Sequence, residues 1–263
     1  MSSLRLSLPY HSIREWLSAY YRTDVDLDGD YTVRECRKCA TYFQGEVASD
    51  AFLAKLYGEW IQPHDDPVNT RDLDEIKLVS RFLRRPTLRT LDYGMGCGAW
   101  AMASLRLGHD SHGFDLSEVR MRLAREIGIE TTVEGQFDFI NTEQVLEHLS
   151  NPSAAMAALT ERLLPDGILK ISVPSRMGLK HAVERLKVGN PMDSSIMPVQ
   201  PLEHLQAFSR RGLKLLAHRH RLESVRPPLL TQYAAASRKP KEMVRPIYRW
   251  IAPKNIYMWF RKT

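Results

Sequence analysis

The stretch that decides the fold reads Asp92-Tyr93-Gly94-Met95-Gly96-Cys97-Gly98. Its first two residues end an apolar run, residues 88–93, that is typical of a buried parallel strand, and it precedes the helix-forming residues 99–107. Glycines at a strand-to-helix turn let the backbone approach a ligand more closely than a Cβ atom allows. The stretch therefore predicts a small-molecule site at the carboxyl end of this strand.

The spacing of these glycines indicates the kind of ligand. It is GxGxG, whereas a dinucleotide site needs GxGxxG so that a pyrophosphate can rest on the helix N-terminus. The tighter form suits a ligand without phosphate, and S-adenosylmethionine (SAM) is such a ligand. The alternative interpretation is a tight turn whose glycines contact no ligand.

Outward from this loop, strand-like and helix-like patterns alternate from residue 65 to about residue 174. Such alternation indicates an α/β fold, and short crossovers between the strands require a mostly parallel sheet. The predicted strands span residues 88–93, 111–115, 129–133, 137–141 and 168–173.

An acidic residue closes the second predicted strand. Asp115 lies 17 residues after Gly98, close to the roughly 20-residue spacing at which a strand-end carboxylate accepts hydrogen bonds from ribose hydroxyls. The alternative is an ordinary strand-end Asp that caps the following helix. With the glycine loop upstream, we favour the ribose interpretation.

Two further segments complete the pattern. Residues 137–148 run from the fourth strand to Glu147-His148, and residues 164–174 contain a helix stop, a turn and a buried strand. With the glycine loop and Asp115, these segments resemble the class I SAM-dependent methyltransferases over about residues 65–222. The chain is most similar to the branch with the ubiquinone-biosynthesis O-methyltransferases and many glycan or secondary-metabolite methyltransferases. Features of that branch are matched by Asp138, residues 145–148 and Pro152.

The resemblance implies a Rossmann-like, seven-stranded, mostly parallel sheet whose last two strands form a hairpin with one antiparallel strand. Residues 213–220 and 229–236 are the candidates for that hairpin. In the family, a longer stretch usually separates the third and fourth strands and contacts adenine. Only residues 134–136 intervene here, so we expect the adenine contacts to be built differently.

The resemblance also implies a cofactor site for SAM. Gly94, Gly96 and Gly98 would line the methionine and ribose side, and Asp115 would hold the ribose. Residues 142–144 would face the cofactor and the incoming substrate. The full predicted set of cofactor-binding residues is Asp92, Gly94, Gly96, Gly98, Asp115, Leu116, Thr142, Glu143 and Gln144.

The predicted reaction is methyl transfer to an oxygen atom of a small-molecule or glycan-linked acceptor. Methyl transfer from a sulfonium is a direct displacement, so the protein mainly aligns donor and acceptor. A hydroxyl acceptor also needs a general base, for which histidine is the usual candidate. Of three plausibly placed histidines, His148, His181 and His204, we assign His148 and His204 as catalytic, although each has a structural alternative.

The cysteines suggest an incomplete metal knuckle. Cys36 and Cys39 form a CxxC, but a structural zinc needs four ligands, commonly from two such knuckles, and no second knuckle follows. Ligation with His11 or His64 is an open alternative. We predict no metal site and interpret the pair as thiols that pack like small hydrophobic residues.

Charge is distributed unevenly. Residues 210–263 hold 14 Lys and Arg against Glu223 and Glu242, a net charge of +12, whereas the remainder carries a net charge of −6. We predict an N-terminal cap at residues 1–64, a SAM-binding domain at 65–237 and a basic aromatic tail at 238–263. The tail suits a docking or oligomer contact, an anionic membrane surface or nucleic acid, in that order.

Three cysteines and the lack of a signal peptide or a long apolar span predict a cytoplasmic protein, with peripheral contact at the inner membrane surface as an alternative.

Two other functions stay open. An RNA methyltransferase could be recruited by the basic tail, but residues 141–144 do not match the Asn/Asp-Pro-Pro-Tyr type motif of nitrogen-methylating forms. A non-catalytic scaffold that keeps the fold is the third interpretation.

Overall fold

The computed structural model describes residues 1–61, 68–236 and 255–263. The strands are β1 (Ser2–Pro9), β2 (Asp30–Cys36), β3 (Tyr42–Gln44), β4 (Arg89–Tyr93), β5 (Asp110–Phe114), β6 (Phe137–Glu143), β7 (Leu163–Pro174), β8 (Gln206–Ala207), β9 (Leu222–Val225) and β10 (Asn255–Lys262). The helices are α1 (Arg14–Tyr21), α2 (Asp50–Lys55), α3 (Thr70–Leu83), α4 (Ala99–Arg106), α5 (Glu118–Glu126), α6 (Pro152–Glu161), α7 (Leu179–Lys187), α8 (Arg210–Arg219) and α9 (Leu229–Ala235).

Residue contacts divide the chain into two compact units. The first unit comprises Met1–Gln62, Leu146–Pro152 and Val173–Leu215. The second unit comprises Pro63–Val145, Ser153–Ser172 and Leu216–Thr263. Among the described residues, no helix combines the length and the apolar character needed to cross a membrane.

The second unit is built on a sheet with the strand order β5-β4-β6-β7-β10-β9. Strand β4 pairs in parallel with β5 and β6, β6 pairs in parallel with β7, and β9 and β10 are antiparallel. The predicted α/β class, the mostly parallel sheet and the antiparallel C-terminal pair are therefore confirmed. Strand β4 reads as an apolar run because Leu91 is fully buried between neighbouring strands.

The predicted count of seven strands is wrong, because the described residues of this sheet form six. The expected third strand, residues 129–133, makes only an isolated bridge between His112 and Glu130. The carboxylate of Glu130 accepts hydrogen bonds from the backbone amides of Thr131 and Thr132. This local turn takes those amides away from the sheet edge, as side-chain-to-backbone bonds often do.

The hairpin exists, but the sequence placed it on the wrong residues. Residues 213–220 fall largely in α8, and residues 229–236 largely in α9. The antiparallel pair is instead β9 with β10, which lies within the predicted tail. Buried Ile256, Met258 and Phe260 alternate along β10 with the period of a strand. Residues 238–254 of the predicted tail lie outside the described residues.

The first unit has its own antiparallel sheet, in the order β1-β2-β3-β8. Its core includes fully buried Tyr31, whose hydroxyl donates to the carbonyl of Val199 at 2.5 Å, and Leu17 on α1. Helix α7 contributes Leu179 and Val183 to the same core at the i and i+4 positions of one face.

Candidate functional site

The glycine loop connects β4 to α4 in the second unit. Gly94, Gly96 and Gly98 have φ angles of 77°, 57° and 78°, which favour glycine. A Cβ on Gly94 would lie 2.4 Å from Cγ2 of Val145, whereas a Cβ on Gly96 would meet no atom within 4 Å. Gly94 is therefore required by packing, and Gly96 borders open space that a ligand can enter.

Asp115 joins the loop to the end of β5. Its Oδ2 accepts a hydrogen bond from the backbone amide of Gly96 at 3.0 Å, and its Oδ1 accepts one from the amide of Ser117 at 3.0 Å. Arg120 forms an ion pair with the same carboxylate at 3.3 Å. The structure thus brings the glycine loop and Asp115, the two motifs predicted to hold the cofactor, into direct contact. The next residue, Leu116, is 84% exposed.

Asp92 is buried at the end of β4 beside Asn141 on β6. Nδ2 of Asn141 donates to Oδ1 of Asp92 at 2.7 Å. Burial raises the pKa of Asp92 to about 7, although the hydrogen bond from Asn141 and the charge of Lys170 oppose the increase. Oδ1 of Asn141 is buried and has no hydrogen-bond partner among the described residues. Asp92 is thus poised to titrate near neutral pH.

Glu143 belongs to a charged network at the carboxyl end of β6. Nζ of Lys170 lies 3.0 Å from Oε2 of Glu143 and 2.5 Å from Oε1 of Glu75. Arg71 forms an ion pair with the other oxygen of Glu143 and contacts the hydroxyl of Tyr257 at 3.1 Å. Burial raises the pKa of Glu143, but the charges of Lys170 and Arg71 outweigh it and lower the pKa to about 2.

The sequence interpretation missed Arg71, Glu75 and Lys170. One signal for them was present, because Lys170 interrupts the apolar run of β7, and a lysine buried in a sheet requires an anionic partner. Burial lowers the pKa of Lys170, yet Glu75 and Glu143 raise it above its ordinary value. The identity of those two carboxylates could not be read from the sequence.

The two neighbours of Glu143 have different surroundings. Thr142 is fully buried, and its hydroxyl donates to the backbone carbonyl of Lys170 at 3.0 Å. Gln144 is half-buried with a φ of 55°, and its Nε2 lies 3.4 Å from the hydroxyl of Ser172. Of residues 142–144, which the sequence assigned to the cofactor, Glu143 and Gln144 are therefore accessible at the strand end. The side chain of Thr142 is buried and hydrogen-bonded within the sheet.

His148 and His204 meet in the first unit. Their ring centroids are 4.7 Å apart. Nδ1 of His148 lies 2.8 Å from the hydroxyl of Tyr57 and 3.2 Å from the carbonyl of Glu203, and Nδ1 of His204 lies 2.5 Å from the carbonyl of Met197. His181, the third histidine considered, is exposed on α7.

Burial controls the charge of both rings. Burial, helped by the nearby His204, lowers the pKa of His148 to about 3. Burial also lowers the pKa of His204, against the hydrogen bond to Met197. Both imidazoles are consequently neutral at physiological pH. A general base works best when its pKa is near the working pH, so His148 is a weak base in this environment.

The CxxC forms a tight turn at the end of β2. The amide of Ala40 donates to the carbonyl of Cys36 at 2.7 Å, and the backbone amide of Cys39 lowers the pKa of the Cys36 thiol. Both cysteine residues are half-buried, so they are less enclosed than the buried thiols that the sequence predicted. His64 lies outside the described residues.

Residues 69–226 match the family described as methyltransferase domain. The chain belongs to this family. The match includes the glycine loop, Asp115 and Glu143, and it confirms the resemblance to class I methyltransferases.

Several named methyltransferases resemble this chain at low sequence identity. Ubiquinone biosynthesis O-methyltransferases of Xanthomonas oryzae pv. oryzae and Xanthomonas euvesicatoria pv. vesicatoria are 27% and 26% identical, over 51% and 53% of this chain. The alignments cover only 63% and 64% of those relatives' lengths. The plantazolicin methyltransferase BamL, solved with a desmethyl analogue and S-adenosylhomocysteine (SAH), has a TM-score of 0.51 at 15% identity over 73% of this chain and 84% of its own. That likeness supports the fold.

Proposed function

We propose that this chain is a SAM-dependent methyltransferase whose cofactor site lies at the carboxyl ends of β4, β5 and β6. The observation that carries the proposal is the bond between the amide of Gly96 and Asp115. It joins a loop that borders open space to a carboxylate suited to ribose hydroxyls. The SAH bound to the structurally similar BamL agrees with this assignment.

Charge supports a methionine-like end of the ligand at the same strand ends. SAM carries a carboxylate, an ammonium and a sulfonium. Arg71 is partly exposed beside Glu143 and supplies a guanidinium for a carboxylate, while Glu143 stays anionic because its pKa is about 2. Buried Asp92 offers a second anionic group once it ionises. We therefore place Asp92, Gly94, Gly96, Gly98, Asp115, Leu116, Glu143 and Gln144 around the cofactor, with Thr142 contributing through the backbone.

We further propose an oxygen acceptor on a small or glycan-linked molecule. The ubiquinone biosynthesis O-methyltransferase relatives favour an oxygen acceptor. His148 and His204, predicted to be catalytic, stay proposed catalytic residues, because a neutral imidazole can accept a hydrogen bond from a hydroxyl. Neither the RNA nor the scaffold alternative is favoured by an observation. Cytoplasmic location and membrane contact through the tail stay predictions.

Calorimetric titration with SAH tests the cofactor site. We expect micromolar binding by the full chain, and at least tenfold weaker binding by Asp115→Ala. Glu118→Gln, an exposed change at the start of α5, is the matched control and should bind normally. Absence of binding by the wild-type chain would overturn the proposed function.

Methyl transfer is tested separately, with isotopically labelled SAM and a panel of phenols, quinone precursors and glycans. Label on an acceptor oxygen, located by mass spectrometry, is the expected result. Transfer only to nitrogen or carbon would refute the O-methylation part and leave the cofactor site intact.

A further inference from the structure

Three potential metal ligands converge in the first unit. Glu147, His148 and His204 each offer one ligand atom, and these atoms all lie within 4.8 Å of one another. Glu147 is completely buried, and His204 is 8% exposed. Glu147 and His148 come from the single turn Leu146–His148, and His204 comes from a segment 56 residues later.

The backbone orients both rings as metal sites require. The carbonyl oxygens of Glu203 and Met197 lie next to Nδ1 of His148 and His204, respectively. A carbonyl oxygen only accepts, so each contact places the proton on Nδ1 and leaves the lone pair on Nε2. Histidine ligands of metals almost always donate their other N–H to a carbonyl or a carboxylate in this way. Tyr57 adds a second oxygen beside the His148 Nδ1.

The cluster also has the appropriate charge. A buried carboxylate beside two imidazole lone pairs gathers electron-rich atoms that a cation stabilises. Two nitrogen ligands and one carboxylate form a ligand set used by zinc and by iron(II).

We propose that Glu147, His148 and His204 bind a divalent transition-metal ion, with Zn²⁺ the best match. Tetrahedral ligands at zinc bond lengths are about 3.4 Å apart, so binding must draw the three atoms together by side-chain rotation. Three protein ligands leave a fourth position open, as in catalytic zinc sites.

The thiols of Cys36 and Cys39 are the competing ligands, because zinc binds thiolate strongly. The test therefore starts from the full chain with Cys36→Ser and Cys39→Ser, stripped of metal by a chelator. Titration with Zn²⁺ alone should show a single ion bound per chain. Cobalt(II) replaces zinc as a spectroscopic probe and should give d–d bands without thiolate charge transfer.

Variants then assign the ligands. Glu147→Gln and His204→Gln should each weaken zinc binding about 100-fold or more, beyond the 10- to 100-fold typical of outer-shell changes. His181→Gln, on exposed α7, should leave it unchanged. Circular dichroism of the metal-free variants separates ligand loss from misfolding, and zinc should raise the melting temperature of the double-cysteine protein but not of Glu147→Gln.

Two results would overturn the proposal. One is a double-cysteine protein that binds no zinc at micromolar concentration, and the other is a folded Glu147→Gln or His204→Gln protein that binds as tightly as its parent. Because SAH is absent throughout, failure of the metal site and failure of the proposed function are recorded by different measurements.

Discussion

The backbone amide of Gly96 donates a hydrogen bond to Oδ2 of Asp115 at 3.0 Å. Through this bond, one carboxylate holds the glycine loop that follows β4 against the end of β5. The other oxygen, Oδ1, accepts from the amide of Ser117 and so fixes the start of α5. Binding of a ligand to the carboxylate of Asp115 is therefore coupled to the position of the loop.

Gly96→Ala should disrupt cofactor binding more than folding. A Cβ at this position meets no protein atom, so the fold pays only for the positive φ, about 1–2 kcal/mol. We expect the same Cβ to occupy space that the proposed cofactor needs. Gly108→Ala is the matched control, because Gly108 has a φ of 80° and an equally open Cβ position at the end of α4. Chemical denaturation and SAH titration of both variants make the comparison; equal SAH affinity in the two would contradict the prediction.

Gly94→Ala should instead destabilise the protein itself. The new Cβ would lie 2.4 Å from Cγ2 of Val145, a contact that requires the loop or the valine to move. We expect a loss of about 1–3 kcal/mol from overpacking, added to the cost of a positive φ. Gly94→Ala/Val145→Ala removes the clash and should recover part of the loss. No recovery in urea denaturation would show that Val145 is not the source of the strain.

Lys170→Met should be strongly destabilising. The substitution leaves Glu75 and Glu143 beside an apolar side chain, and breaking a buried ion pair in this way costs about 3–5 kcal/mol. Lys170→Met/Glu75→Gln removes one of the uncompensated charges and should be more stable than the single variant. Lys187→Met breaks the exposed pair with Glu184 and should change stability by about 1 kcal/mol or less. A small effect of Lys170→Met in denaturant titrations would mean that the network contributes little.

Stability should depend on pH through Asp92. Its pKa rises from 3.8 to about 7 on folding because of burial, so the native protein binds a proton that the unfolded chain releases between pH 4 and pH 7. The contribution of Asp92 to stability is therefore present below pH 4 and is lost as the pH rises to about 7, by about 1.4 kcal/mol per unit within this window.

Comparison with Asp92→Asn isolates that contribution. The variant carries no titrating group at this position and keeps an oxygen that accepts from Asn141. The difference in unfolding free energy between the two proteins should shift in favour of Asp92→Asn from pH 4 to pH 7 and then stay constant. If the unfolding free energies of the two proteins change with pH in parallel across that range, a raised pKa for Asp92 is excluded.

Local patterns were sufficient where one segment determines the outcome. The apolar run of β4, the glycines after it and the acid at the end of β5 were all found at their predicted positions, because each depends on neighbours in the chain. The predicted third strand, residues 129–133, was wrong because a local side-chain interaction replaces the strand. The side chain of Glu130 bonds to the amides of Thr131 and Thr132, and this choice between turn and strand is not visible in a strand-like run.

Positions that depend on distant partners were predicted poorly. Residues 255–262 read as a basic aromatic tail, yet burial of Ile256, Met258 and Phe260 makes them a strand of the sheet. The two apolar stretches chosen for the hairpin fold as helices α8 and α9. A short apolar run suits either a strand or a helix, and the sheet edge that is available decides between them.

The sequence by itself determined the α/β class, the glycine loop and the family, because these depend on the order and spacing of residues along one strand-turn-helix unit. Only the tertiary structure decided that Lys170 lies between Glu75 and Glu143, and that His204 meets His148 across 55 intervening residues. Such contacts are set by how elements pack. A buried charge or a ligand cluster needs partners whose positions in the chain no local pattern specifies.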